Sequence, residues 1–231
     1  TFRHTNPNRS LPHSADRGSL AVADCASRPS ARGLRMACFV IACLTGPLAS
    51  AQQTDSVCGN PFVNRFGPFD YRTETGPNRK IVEEYHFSPM VESLIHGQSS
   101  SVGADLDYTL RAFPNHHRAL TSMMNLGFKL KTSSPQGASV SVECYFRRAL
   151  IFRPDDTIAR MLYAKYLTDS KRQSEALHEL DVARDSAKDN GFTHYNIGLL
   201  YLELQEFDKA LAQAHKALSL GFQRSELKAR L

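Results

Sequence analysis

The sequence predicts an all-α fold: a solenoid of stacked helical hairpins with an irregular N-terminal arm and a short C-terminal capping helix. Three observations predict it. Small residues recur at a fixed step: Gly198 follows Ala164, Ala210 follows Ala176, and Ala217 follows Ala183, each by 34 positions, and Ala149 precedes Ala183 by the same step. Large apolar residues keep that step, Ile197 with Tyr163 and Tyr201 with Leu167. Breaks in the pattern fall between the units, at Pro114-Asn115, Pro154-Asp155 and "KDNGFTHY".

In chain order, residues 1–35 are rich in Ser, Arg, Ala and Pro and show no hydrophobic period. They read either as a disordered leader or as translation upstream of the true start. Residues 36–51 read as a signal peptide. Arg32 and Arg35 flank the short apolar run Met36 to Leu44, and Ala49-Ser50-Ala51 has the small-x-small form of a cleavage site. The run is about half of the ~20 residues a membrane span needs, so no span is expected after cleavage. A start at Met36 would drop the basic flank, and an upstream codon such as Val22 would keep it. "VIAC", Val40 to Cys43, loosely resembles a lipoprotein cleavage box, which would tether the chain by lipid at Cys43.

The net charge of +5 is concentrated at the front. Six of the 28 basic residues and two of the 23 acidic ones precede Gln52, leaving +1 for the remainder. A nearly neutral body without a clustered basic face does not fit a nucleic-acid partner.

Residues 52–88 read as an extended arm. "CGNPFVNRFGPFDYRT" is rich in Gly, Pro and aromatics, and "KIVEEYHF" alternates like a short strand. Phe62, Phe66, Phe69 and Tyr71 are either core contacts on the first helices or a ligand platform. Cys58 and Cys144 remain after signal cleavage, an even pair in an oxidising compartment. They read as a disulfide, worth about 4–5 kcal/mol in the chain-entropy model, or as two thiols with Cys144 on a helix core face.

The helical domain spans 89–231. "SPMVESLIHG", with Ser88 as N-cap and Pro89 at the first helical position, and "ADLDYTLRAFPN" make a partial hairpin. Leu106, Leu110 and Phe113 share a face of the second helix, and Pro114 ends it. Full units follow near 115–154, 157–190 and 191–221. The first is the least regular. Its helices are "FPNHHRALTSMMNLGFKL" and "SVECYFRRALIFRPDD", "KTSSPQGAS" lengthens the turn, and Met124 stands where a small residue is expected, so this pair should be splayed. In the last unit Gly198, Ala210 and Ala217 mark the helix crossing, and Tyr201, Phe207 and Leu211 are expected to fill it. Gly191 suits a helix C-terminus. "FQRSELKARL" reads as the cap over the final apolar face.

"YNIGLLY", through Ile197, Gly198 and Tyr201, and "FDKALAQAHKAL", through Phe207, Ala210, Ala217 and Leu218, resemble helices A and B of the tetratricopeptide repeat. "LYAKYLTDSKRQSEALHELDVARDSA" fits through Tyr163, Ala164, Leu167, Ala176, Leu180 and Ala183. The resemblance implies a non-catalytic protein whose A helices line a concave groove for a peptide or partner helix. The positions it implies are Met161, Leu162, Lys165, Thr168 and Asp169 in one unit, and Tyr195, Asn196, Leu199, Leu202 and Glu203 in the next. Asn196 either bonds a peptide backbone or simply matches the family's "YN-G" sequence. The carboxylate clamp of some members needs Lys/Arg and Asn at several positions. Only Lys165 and Asn196 approach it, so a chaperone-tail adaptor is not expected.

A catalytic alternative rests on His86, His96, Asp105, Asp107, His116 and His117, residue types that ligate zinc or iron. No HExxH, paired CxxC, GxSxG elbow or GK[ST] phosphate loop accompanies them, and adjacent histidines on a helix point about 100° apart. The residues read as solvated or capping groups, Asp105 as a helix N-cap or first-turn acid, and no cofactor is expected. The leading expectation is an exported scaffold of the periplasm or cell envelope that binds another envelope protein or peptide segment. The alternatives are a small envelope enzyme using the histidine/aspartate cluster near His86–His117, or a structural subunit joined through the aromatic arm.

Overall fold

Nine helices and no strand are found among the described residues, which are 55–224 and Leu227 of this computed structural model. They are α1 (Pro77–His86), α2 (Pro89–Glu92), α3 (Val102–Ala112), α4 (His117–Leu130), α5 (Val142–Phe152), α6 (Thr157–Asp169), α7 (Gln173–Ser186), α8 (Gly191–Glu203) and α9 (Phe207–Ser219). The expected leader, signal peptide and Cys43 anchor lie outside the described residues, as does all of the expected cap after Arg224 except Leu227.

The helix ends repeat as the sequence does. The side chains of His116, Asp156 and Asn190 cap α4, α6 and α8 by accepting the N–H of Ala119, Ala159 and Thr193. Such a cap contributes about 1 kcal/mol. At the far ends of the same helices the chain turns through left-handed residues, Lys131 (φ 53°), Lys171 (φ 64°) and Gln205 (φ 62°). Caps and turns share one spacing, 40 positions and then 34. The six extra positions of the first unit arise in the connection between Lys131 and Ser141, which is nine longer than its counterpart, while α5 is three residues shorter than α7.

α6 with α7, and α8 with α9, form the two closest helix pairs. Ala164, Ala176, Ala183, Ala210 and Ala217 are buried in them. A Cβ on Gly198 would stand 3.3 Å from Gln213 Cβ and 3.4 Å from the Ala210 carbonyl, so glycine lets α8 and α9 approach. α4 and α5 meet less closely. Met124 is buried there, and Gly127 permits the remaining approach, since a Cβ would lie 2.9 Å from Val142. Two apolar clusters result, one from Phe87 to Ala176 and one from Met161 to Leu227. α6 contributes to both, Tyr163 and Leu167 to the first and Met161 and Ala164 to the second.

Several expectations need correction. The stretch "KIVEEYHF" is not a strand: it lies mostly in α1. Pro77 starts that helix, Arg79 and Glu83 pair one turn apart at 3.0 Å, and Val82 packs inward. The seeming alternation arose because Ile81 and Tyr85 stay exposed. α2 is a single turn, and Leu94 turns left-handed soon after it (φ 58°). Ser88 is its N-cap, but the hydroxyl makes no capping bond. Gly191 opens α8 rather than closing α7. A Cβ there would meet Phe222 Cβ at 2.8 Å, and the left-handed residue is Lys188. Phe207 and Leu211 are exposed, not packed in the crossing.

The remainder of the arm, from Asp55 to Gly76, packs on the helices. Phe66, Phe69 and Tyr71 lie against Val82, Ala112 and Phe113, and the Phe62 and Phe152 rings are 5.7 Å apart. A disulfide joins Cys58 to Cys144 on α5, Arg147 pairs with Asp55 at 2.6 Å, and Phe69 N–H donates to Ala112 at 2.9 Å.

Candidate functional site

α6 and α8 run side by side and leave a hollow of about 340 Å³ between them. Ile158, Met161, Leu162 and Lys165 line it from α6; Phe192, Asn196, Leu199, Leu200 and Glu203 line it from α8. The two walls are the same helical stripe, repeated. Ile158 and Phe192, Leu162 and Asn196, and Lys165 and Leu199 are each 34 positions apart. Within each wall the spacing is three or four, which keeps the residues on one face. The floor is apolar, and the rim residues Phe192 and Ile158 are 53% and 37% exposed.

One end of the hollow is charged. Lys165 Nζ lies 2.5 Å from Asp169 Oδ1 and 3.4 Å from Glu203 Oε2. Burial alone would pull the Lys165 pKa down. The hydrogen bond to Asp169 and the charge of Glu203 outweigh it, so the pKa is raised and the ammonium is retained. One cation and two carboxylates leave this end net negative. Asn196 Nδ2 donates to the Phe192 carbonyl at 2.7 Å, within its own helix.

Of the ten groove positions expected from sequence, Met161, Leu162, Lys165, Asn196, Leu199 and Glu203 line the hollow. Asp169 reaches its edge through Lys165. Thr168 does not line it; its hydroxyl donates to the Ala164 carbonyl at 2.9 Å. Tyr195 and Leu202 are core residues, Tyr195 with its ring 5.1 Å from that of Phe222. Each neighbours a groove residue in sequence, but one helical step rotates a side chain by about 100°. Ile158, Phe192 and Leu200 were missed. The step of four back from Leu162 and Asn196 would have found the first two.

A second hollow of about 540 Å³ lies among Asp55, Arg147, Arg160, Tyr163 and Glu179. Its charges are already matched internally, Arg147 with Asp55 at 2.6 Å and Arg160 with Glu179 at 2.5 Å.

The histidine/aspartate cluster does not converge on one point. His86 Nδ1 lies 3.0 Å from Asp105, whose other oxygen accepts the N–H groups of Gln98, Ser99 and Ser100. Asp105 is a first-turn acid of α3, as expected, but it is buried rather than solvated and anchors the 98–100 loop; the N-cap is Ser101. Asp107 is also buried and accepts from Ser139, Tyr145 and Arg111. Its burial opposes ionisation, but these donors prevail and lower its pKa. His116 is buried, with Nε2 at 3.1 Å from Glu83, while His117 Nε2 lies 2.9 Å from Asp156. His96 points to the Gly97 carbonyl, 2.8 Å away. Among the described residues no group of three or more His, Cys, Asp or Glu is placed to hold a metal ion.

Of this cluster, His117 belongs instead to a polar joint through Asp156. Asn115 Nδ2 donates to Asp70 at 2.7 Å and to Asp156 at 2.8 Å, and its Oδ1 accepts from Tyr71 N–H at 3.0 Å. Arg153 adds a 2.6 Å contact to Asp70. The joint fixes the arm to the starts of α4 and α6, and α6 carries one wall of the groove.

No family model, curated protein or solved structure matches the chain.

Proposed function

We propose that the chain is a non-catalytic interaction scaffold of the tetratricopeptide-repeat type, which holds a partner's segment in the groove between α6 and α8. The observation that carries this reading is the pair of 34-spaced stripes, which give one hollow two walls of matching pattern. The internally paired polar hollow offers a ligand less. Displacing its ion pairs would leave charges to be desolvated, whereas the apolar floor gains about 25 cal/mol per Å² covered. The occupant is a protein segment with two or three large apolar side chains and an adjacent lysine or arginine, because the Lys165–Asp169–Glu203 end is net negative. The periplasm or cell envelope is the proposed location. The basic flank and apolar run before Ala51 support export, and the Cys58–Cys144 disulfide suits an oxidising compartment. Among the described residues no helix is long and apolar enough to cross a membrane.

The test is site-specific photocrosslinking in cells with the probe at Phe192 or Glu203, and at exposed Lys188 as control. The expected result is one saturating partner at both groove positions, absent at Lys188, and lost from the Phe192 probe when Leu199→Asp is added. A partner captured equally at Lys188, or retained after Leu199→Asp, would remove the groove reading.

A further inference from the structure

One arginine stands apart from the rest. Arg148, on α5, is the one fully buried arginine among the described residues, 8% exposed. Each half-buried arginine forms an ion pair with a carboxylate, Arg111 with Asp107 at 2.8 Å and Arg153 with Asp70 at 2.6 Å among them. Arg148 has no such partner among the described residues. Its one hydrogen bond runs from Nη1 to the Cys58 carbonyl, at 3.4 Å. Nε is buried and bonds nothing. Nη2 bonds nothing either and stays in contact with solvent.

A cation in this state is costly. Most of its water has been removed, and one long bond to a neutral carbonyl does not replace it. Packing alone would be served by an aliphatic side chain of similar length. The charges nearby do not close the balance. Asp107 and Arg111 both act on Arg148, with opposite signs. Asp107 is already engaged, since its oxygens accept from Arg111, Ser139 and Tyr145. Two guanidinium groups thus share one carboxylate, and one positive charge is left over where the arm at Cys58 meets α5.

That surplus specifies the ligand. A single uncompensated cation is matched by a monoanion. Nε–H and the adjacent N–H of Nη2 point the same way from the planar group, and this edge fits the two oxygens of a carboxylate. Because the edge is mostly buried, it admits only a compact group. We propose that Arg148 is an anion site for the carboxylate of one small organic acid. The acid enters at Nη2, a slight turn of the guanidinium brings Nε to its second oxygen, and Arg111 adds positive charge nearby. The site is separate from the α6/α8 groove, since neither arginine lines that hollow.

Arginine side-chain nuclear magnetic resonance of the full chain tests it, with sodium acetate replacing sodium chloride at constant ionic strength and pH 7. The Arg148 Nε–H signal, assigned by its loss in Arg148→Met, should shift and saturate. The signal of exposed Arg65 should drift without saturating. The melting temperature should rise with acetate in the wild type and not in Arg148→Met. Inorganic phosphate should neither saturate the signal nor displace acetate. Should Arg148→Met fail to fold, through-bond correlation assigns the signal, and the wild-type titration decides alone. An Arg148 signal that moves no more than that of Arg65 would overturn the proposal. A response that saturates with phosphate and not with acetate would overturn the choice of ligand.

Discussion

His116 Nε2 lies 3.1 Å from a carboxylate oxygen of Glu83, while Nδ1 of the same ring accepts the backbone N–H of Ala119 at 3.1 Å. Accepting at Nδ1 requires that nitrogen to be bare, so the proton of the neutral ring sits on Nε2 and is donated to Glu83. One imidazole thus caps α4 and anchors α1. A second proton on the ring would have to go on Nδ1 and would break the cap.

Stability should therefore fall in acid in two stages. Burial lowers the pKa of His116 below 6.5, and its hydrogen bond to Glu83 only partly offsets this. The unfolded chain then takes up the proton first, so the contribution of His116 is complete above pH 6.5 and is lost as pH falls through the folded value. Glu83 is held at about 2 by the His116 hydrogen bond, against its burial and with help from Arg79, so its contribution is lost between pH 4.5 and 2. Melting temperatures from pH 8 to pH 3 check this. His116→Asn, which retains a capping side chain, should flatten the upper stage. An unchanged slope between pH 7 and 5 would contradict the assignment.

The two alanine substitutions Gly103→Ala and Gly198→Ala should behave differently. At Gly103 the new Cβ would stand 2.2 Å from the Gln136 backbone carbonyl, so the loop must move, at a cost of about 1–3 kcal/mol. At Gly198 the nearest atom is the movable tip of Leu227, 2.6 Å away. The helix-propensity gain of about 1 kcal/mol from alanine offsets that shift and the slight give required of Gln213 Cβ, 3.3 Å away, leaving stability nearly unchanged. Urea midpoints of the two variants measure the contrast.

Gln205→Gly should raise stability by about 0.5–1 kcal/mol. Gln205 holds φ 62° in the turn between α8 and α9, where a Cβ is penalised and glycine is not. Lys171→Gly, at the equivalent position 34 residues earlier, should gain by a similar amount, and chemical denaturation reads both.

Reduction of the Cys58–Cys144 bond should cost about 4–5 kcal/mol in the chain-entropy account, because it closes a loop with a sequence separation of 86. The α6–α9 hairpins, which contain neither cysteine, should keep their helical signal under conditions where the arm has detached. Guanidinium unfolding with and without reductant, together with Cys144→Ser, checks the size and the locality of the effect.

The helical hairpins were legible because the crossing tolerates only small side chains. Gly198, Ala210 and Ala217, repeated as Ala164, Ala176 and Ala183, therefore carry the architecture in the sequence itself. α1 was not legible: its large apolar residues Ile81 and Tyr85 stay exposed while Val82 alone packs inward, and only the Arg79–Glu83 pair and Pro77 mark it as helical. Six of the ten groove positions that the tetratricopeptide resemblance implied line the hollow. Tyr195 and Leu202 do not, and were misread because deciding which of two adjacent residues faces the groove requires the rotation of α8 to within one residue. The polar joint was invisible as such. Asp70, Asn115 and Asp156 meet across 41 to 45 positions of chain, and no local spacing announces that.

The most direct measurement is methionine-methyl nuclear magnetic resonance of the full chain, titrated with the partner segment that photocrosslinking identifies. Met161 lines the α6/α8 hollow, whereas Met90 lies on α2 and Met123 is sealed in the other apolar cluster. The account predicts a saturable shift of the Met161 resonance, with Met90 and Met123 unmoved, and its loss in Leu199→Asp. Binding that shifts Met90 and leaves Met161 in place would contradict it.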